Sequence, residues 1–158
     1  MASFLYNKAK EGFLGGTNEA DLIGDKIGVA LVGNGYVAAA SHSTMTNVGT
    51  NVVKTAYFTT AVTGDGTNGT GASLGLTITD GIFDGPDITI SSVTATSQTI
   101  NAIVIFEQNA TNQTNPTHTA SKLIAYIDNV SSGFPITGPS GANITISWDG
   151  GQYKIFSL

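Results

Sequence analysis

From residue 27 onward, the apolar residues come in short, β-branched runs, each cut off by Gly, Asn, Asp or Pro. Ile27-Gly-Val-Ala-Leu-Val32 ends at Gly33-Asn-Gly35, and Ile88-Thr-Ile-Ser-Ser-Val93 begins just after Pro86. Val52 to Val62, Leu74 to Thr79, Ile100-Asn-Ala-Ile-Val-Ile-Phe106 and Leu123-Ile-Ala-Tyr-Ile127 repeat the pattern. Alternation or continuous burial over about six residues, bounded by turn formers, is the pattern of strands. The runs therefore predict an all-β fold: an antiparallel β-sandwich or jelly-roll-like barrel. Ile100–Phe106 is apolar on both faces at its end and is expected in the middle of a sheet. Ile144-Thr-Ile-Ser-Trp148 and Tyr153-Lys-Ile-Phe156 flank Asp149-Gly150-Gly151, which reads as a hairpin because Asp-Gly tolerates positive φ.

Only residues 3–14 read as helical. Ser3 would be the N-cap and Gly15-Gly16 the stop, while Gly12 within the segment leaves a short helix and an ordered arm both open. The chain thus divides into an N-terminal arm, residues 1–16, and one β-domain, residues 17–158.

Charge is scarce: 6 Lys or Arg and 11 Asp or Glu among 158 residues, or 11%, where about 25% is usual. Thr, Ser, Asn and Gly supply the polarity instead. Long charged side chains keep monomers apart and lose rotamer entropy when ordered, whereas Thr and Ser hydrogen-bond at lower entropic cost. A surface of this kind suits one covered by neighbours. The net charge of −5 disfavours nucleic acid as a partner. No run approaches the ~20 apolar residues of a membrane-spanning helix, and the opening residues do not read as a secretory signal. Without Cys there is neither a disulfide framework nor a thiolate metal site, so stability is expected from packing and assembly.

Candidate catalytic and ligand constellations all have plainer explanations. Gly64-Asp-Gly-Thr-Asn-Gly69 matches the dinucleotide glycine pattern but lacks the strand and helix that make it work. Asp80, Asp84 and Asp87 lie close enough to suggest a cation, yet Asp-Gly and Gly-Pro-Asp are ordinary turn formers. His42 and His118 sit among Ser and Thr, with no nucleophile-elbow motif and no metal-type partner at i+2 or i+4, so hydrogen bonding in a loop or interface is the expected role. Trp148, Tyr153 and Phe156 are expected in the core. No enzymatic activity and no cofactor or metal is expected.

Several blocks resemble a family of small virion proteins of tailed bacteriophages. They are Phe4-Leu-Tyr-Asn-Lys-Ala-Lys-Glu-Gly-Phe-Leu-Gly-Gly16, Asp25-Lys-Ile-Gly-Val-Ala-Leu-Val32 and Ala40-Ser-His42 near the start. Near the end they are Lys122-Leu-Ile-Ala-Tyr-Ile-Asp128, Gly133-Phe-Pro-Ile-Thr137, Ile144-Thr-Ile-Ser-Trp-Asp-Gly-Gly151 and Lys154-Ile-Phe156. Residues 45–120 match only in style. The resemblance implies a structural component of a virion and brings no catalytic residues.

Within a particle, negative charge favours the outer head surface over the DNA-filled lumen. The expectation is therefore a capsid decoration or cement protein, made in the host cytoplasm during assembly, that binds the major capsid protein as a homo-trimer or other homo-oligomer. Phe4, Leu5, Tyr6, Phe13 and Leu14 would pack on a capsid subunit or sister protomer, with Lys8 and Lys10 meeting acidic surface; equally, this segment could cap the domain's own core. The alternative is a tail or head-fibre module that recognises a host glycan or protein through loops 63–73 and 107–121.

Overall fold

The computed structural model describes residues 3–15, 22–23, 26–58, 75–108, 120–128, 130, 132–150 and 154–158. Its main antiparallel sheet has the order β1-β8-β7-β2-β3, with β9 also pairing β7. These strands are β1 (Phe4–Leu5), β2 (Ile27–Gly33), β3 (Val52–Tyr57), β7 (Thr99–Glu107), β8 (Lys122–Ile127) and β9 (Ile136–Thr137). A second sheet pairs β6 (Ile88–Thr94) with β10 (Ser140–Ile146). A third, small sheet holds β4 (Thr77–Thr79), β5 (Ile82–Asp84) and β11 (Phe156–Ser157) in the order β11-β5-β4. The helix α1 (Asn7–Phe13) lies against β8. The fold is all-β, antiparallel and sandwich-like, as the runs predict.

The main sheet is covered on both faces, which explains why its central strands are continuously apolar. All seven residues of β2 are buried. Ile27, Val29 and Leu31 join Ile103 and Ile105 of β7 on one face, against Ile88, Ile90 and Val93 of β6 and Ile146 of β10. Ala30 and Val32 join Ala102, Val104 and Phe106 on the other face. There the cover is irregular chain: Tyr36, Ala38, Met45 and Val48, together with Tyr6. Asn47 Oδ1 accepts from Ser43 N at 3.1 Å and Thr44 N at 3.2 Å, and Met45 N donates to Ser121 O at 2.9 Å. These bonds fix two short 3₁₀ turns, Met45–Asn47 and Gly49–Asn51, across the sheet.

Three expectations change in detail. The helix begins at Asn7, not after Ser3; Tyr6 occupies the N-cap position, and Ser3 Oγ instead accepts from Asp128 N at 3.2 Å. A seven-residue helix is not stable alone. Its buried face, Ala9 and Gly12, consists of small residues, so Gly12 stands where the helix meets the domain.

Among the described residues, the two segments expected to pair across Asp149-Gly150 pair elsewhere. β10 pairs with β6, and Phe156 pairs with Phe83 of β5. Phe156 lies 5.0 Å from the Phe83 ring and 6.2 Å from that of Phe13, so aromatic burial outweighs the local turn preference. The Asp-Gly hairpin occurs at Asp80-Gly81 instead. Both residues have positive φ, 52° and 75°, and Thr79 pairs with Ile82 across them.

The three aspartates of that region have separate tasks. Asp80 makes the turn, Asp84 Oδ2 lies 3.2 Å from Lys154 Nζ, and Asp87 Oδ1 accepts from Trp148 N at 3.1 Å. Trp148 and Phe156 pack against the core as expected. Tyr153, His118, residues 64–69 and most of loops 63–73 and 107–121 lie outside the described residues.

Candidate functional site: the N-terminal strand and helix

The N-terminal segment is built into the domain. β1 adds to the edge of β8, with Phe4 opposite Tyr126 and Leu5 opposite Ala125. Tyr6 N donates to Ile124 O at 3.0 Å and Asn7 N to Ala40 O at 2.9 Å. The Phe4 ring stacks on Tyr126 at 5.3 Å and meets Tyr6 edge-on at 5.2 Å. The Tyr6 side chain is fully buried, with its hydroxyl 3.0 Å from that of Tyr36. The Tyr36 hydroxyl in turn lies 2.9 Å from Nδ1 of half-buried His42. A hydrogen-bonded Tyr–Tyr–His chain thus runs from the core to the surface.

Seven residues were candidates for partner contact, and the structure divides them. Tyr6 is inside; Phe4, Leu5 and Phe13 are half-buried against the two core clusters. Lys8, Lys10 and Leu14 remain outside, Leu14 at 88% exposure. Lys8 pairs with Glu11 one helical turn on. Capping the domain's own core is therefore part of what the segment does, and its outer face is small.

Below that face lies a pocket of about 170 Å³ between α1, Ser43-Thr44 and the start of β8. Ala9, Leu123 and Ile124 give it an apolar lining, and Lys8, Lys122, Ser43 and Thr44 supply polar groups. Leu123 N donates to Ser43 O at 3.0 Å, closing the wall. Lys122 Nζ is held 2.8 Å from the buried Glu107 carboxylate. Both ammonium groups at this hollow are already paired with carboxylates, Lys8 with Glu11 and Lys122 with Glu107. Lys122, Ser43 and Thr44 were not among the sequence candidates; they are far apart in the chain and carry no local motif.

Burial raises the phenol pKa values of Tyr6, Tyr36, Tyr57 and Tyr126 above 10. For Tyr6 the hydrogen bond to Tyr36 adds to the rise, and for Tyr126 the nearby Asp128 carboxylate does. The folded state keeps these protons where the unfolded chain, titrating near 10, gives them up. Their contribution is therefore fully present below pH ~10 and lost above it, at about 1.4 kcal/mol per pH unit for each phenol held back. Burial lowers the pKa of Lys26, which acts in the opposite sense: the folded chain sheds this proton first, so stability rises with pH until the unfolded lysine also titrates near 10.5. Denaturant midpoints measured from pH 8 to 12 should hold or rise slightly to about 10, then fall steeply. Tyrosinate absorbance from these four phenols should appear together with unfolding; their smooth titration in a folded protein would contradict this.

Comparison with protein-family models, curated proteins and solved structures finds no match to this chain. What defines it is an all-β, sandwich-like domain whose N-terminal strand and helix form a lysine-bearing face.

Proposed function

We propose that this chain is a structural virion protein of a tailed bacteriophage: a decoration or cement protein that binds the major capsid protein on the outer head surface. The observation that carries this reading is the chemistry of the strands. β4, β6, β9 and β10 include not one charged residue, although β4 is exposed along its length and β10 along most of it. Proteins that live as monomers guard such strands with Lys, Pro or a covering segment. Unguarded Thr, Ser, Asn and Gly surfaces fit a protein whose neighbours cover it. In this role the domain binds and does not catalyse, and many modest contacts sum over a lattice. The phage-like blocks at both ends of the sequence, and the net charge of −5, support the outer surface of a head.

Counting copies in purified particles tests the position. A number comparable with that of the major capsid protein supports decoration, while a small fraction of it overturns decoration in favour of a tail or fibre tip. The outer face of the N-terminal segment is tested by Lys8→Ala, Lys10→Ala and Leu14→Asp together. All three side chains lie outside, so thermal stability should stay close to that of the unaltered protein. Burying one leucine is worth about 1.5–3 kcal/mol, and 1.4 kcal/mol is tenfold in Kd. Capsid affinity should thus fall at least about tenfold. Unchanged affinity removes the anchoring role from this face.

A further inference from the structure

The sheet of β6 and β10 has two strands, while the layer it covers has five in its main path. On one side β10 is bonded to β6, with Ile144 opposite Ile90 and Ile146 opposite Ile88. Along its other side runs a groove of about 340 Å³, between residues 144–147 and the segment leading into β9. Ile103, Phe134, Ile136, Ile144 and Ile146 give it apolar walls, and no charged residue among the described ones lines it. Phe134, Ile136 and Ile144 are only half-buried against the core. Among the described residues, no strand pairs with β10 on this side.

The same chain carries a strand of matching kind. β4 is the outer strand of the β4–β5 hairpin, exposed at all three residues and bonded only to β5 among the described residues. It reads Thr77-Ile78-Thr79, with Ile78 at 48% exposure. The tight Asp80-Gly81 turn gives the hairpin its shape. We propose that the β4–β5 hairpin of one copy docks, in a second copy, on the edge of β10 that is unpaired among the described residues, with Ile78 in the groove.

Three observations select a second copy as the occupant. Both edges are uncharged, so neither carries the lysine that would exclude the other. The lengths agree: three residues in β4 against the four of β10 and its continuation, 144–147, that line the groove. The side chains agree as well, an aliphatic Ile78 for an aliphatic and aromatic groove, flanked by threonines that can hydrogen-bond at the rim. Backbone ladder bonds supply affinity and the groove supplies selectivity, as in other strand additions. Because two different patches meet, the contact is head-to-tail: it closes into a ring, such as a trimer, where the rotation between copies permits, and otherwise extends as a filament. This deepens the homo-oligomer part of the proposed function but does not depend on what the oligomer binds.

The absence of cysteine makes the test clean. Protein bearing Ile78→Cys is mixed with protein bearing Ser147→Cys under mild oxidation, and each is also oxidised alone. A disulfide dimer should form mainly in the mixture. In parallel, Ile78→Lys should weaken self-association at least tenfold by sedimentation, with unchanged circular dichroism and thermal stability. Since each copy carries −5, added salt should strengthen association by screening repulsion. A wild-type chain that stays monomeric through the micromolar range overturns the proposal. So does an oligomer indifferent to Ile78→Lys, or equal cross-linking in mixed and single samples. These readouts use free protein, so their failure is distinct from a failure of the capsid reading, which copy number decides.

Discussion

Replacing Gly28 with alanine or valine should destabilise the domain, although both residues suit a strand better than glycine does. Gly28 lies in the middle of β2, opposite Phe106 of β7 and Tyr57 of β3. The Phe106 ring lies across the glycine, so that a Cβ there would overlap the ring's outer edge. The ring cannot move aside easily: it is fully buried, and Tyr57 meets it edge-on at 5.8 Å. Overpacking of this sort costs typically 1–3 kcal/mol. Gly28→Ala is expected near the middle of that range and Gly28→Val at or beyond its top. For a chain of this size, ~3 kcal/mol corresponds to a loss of about 6–12 °C in Tm. Phe106→Ala should itself cost about 3–5 kcal/mol. Gly28→Ala added to Phe106→Ala should cost little more, because the clash has gone. A double-mutant cycle measures that coupling. If Gly28→Ala costs the same with and without the ring, the close approach is not what requires the glycine.

Gly28 also illustrates what was legible in the sequence. The run Ile27–Val32 marks a strand; that both of its faces are buried is shown by the structure. What covers the second face was not legible. Residues 34–51 have no strand or helix period, because irregular chain buries Tyr36, Met45 and Val48 one at a time. Strand partners were equally hidden. Four Asp-Gly pairs stand in the sequence, at 65–66, 80–81, 84–85 and 149–150, and the choice of Asp80-Gly81 over Asp149-Gly150 follows from long-range packing of Phe156 on Phe83. The site was legible only by half. Lys8, Lys10 and Leu14 stand in one stretch of sequence, whereas Lys122, Ser43 and Thr44 join Lys8 only because β8 and the segment after His42 run side by side.

The second large effect lies in the N-terminal segment, whose removal should cost the fold itself. Tyr6→Ala takes away a fully buried ring at about 3–5 kcal/mol, judged from other large aromatic truncations. It also strips the Tyr36 hydroxyl of one partner, at about 1–3 kcal/mol where no water replaces it. Against a total of about 5–15 kcal/mol for a typical domain, this is a large fraction. Deleting residues 1–14 goes further, removing β1 and α1 and uncovering the edge of β8 along Ala125 and Tyr126. The truncated chain should melt far below the intact one and bind a dye that reports exposed apolar surface. Tyr6→Phe separates the two contributions: it keeps the ring, so its cost should be that of the hydrogen bond alone, about 0.5–1.5 kcal/mol. The loss of stability above pH 10 should also become shallower, since one retained proton is gone. A deletion variant that kept its Tm would show the segment to be an appendage. In the expected case, loss of capsid binding on deletion reports unfolding, and only the exposed side chains Lys8, Lys10 and Leu14 can separate anchoring from folding.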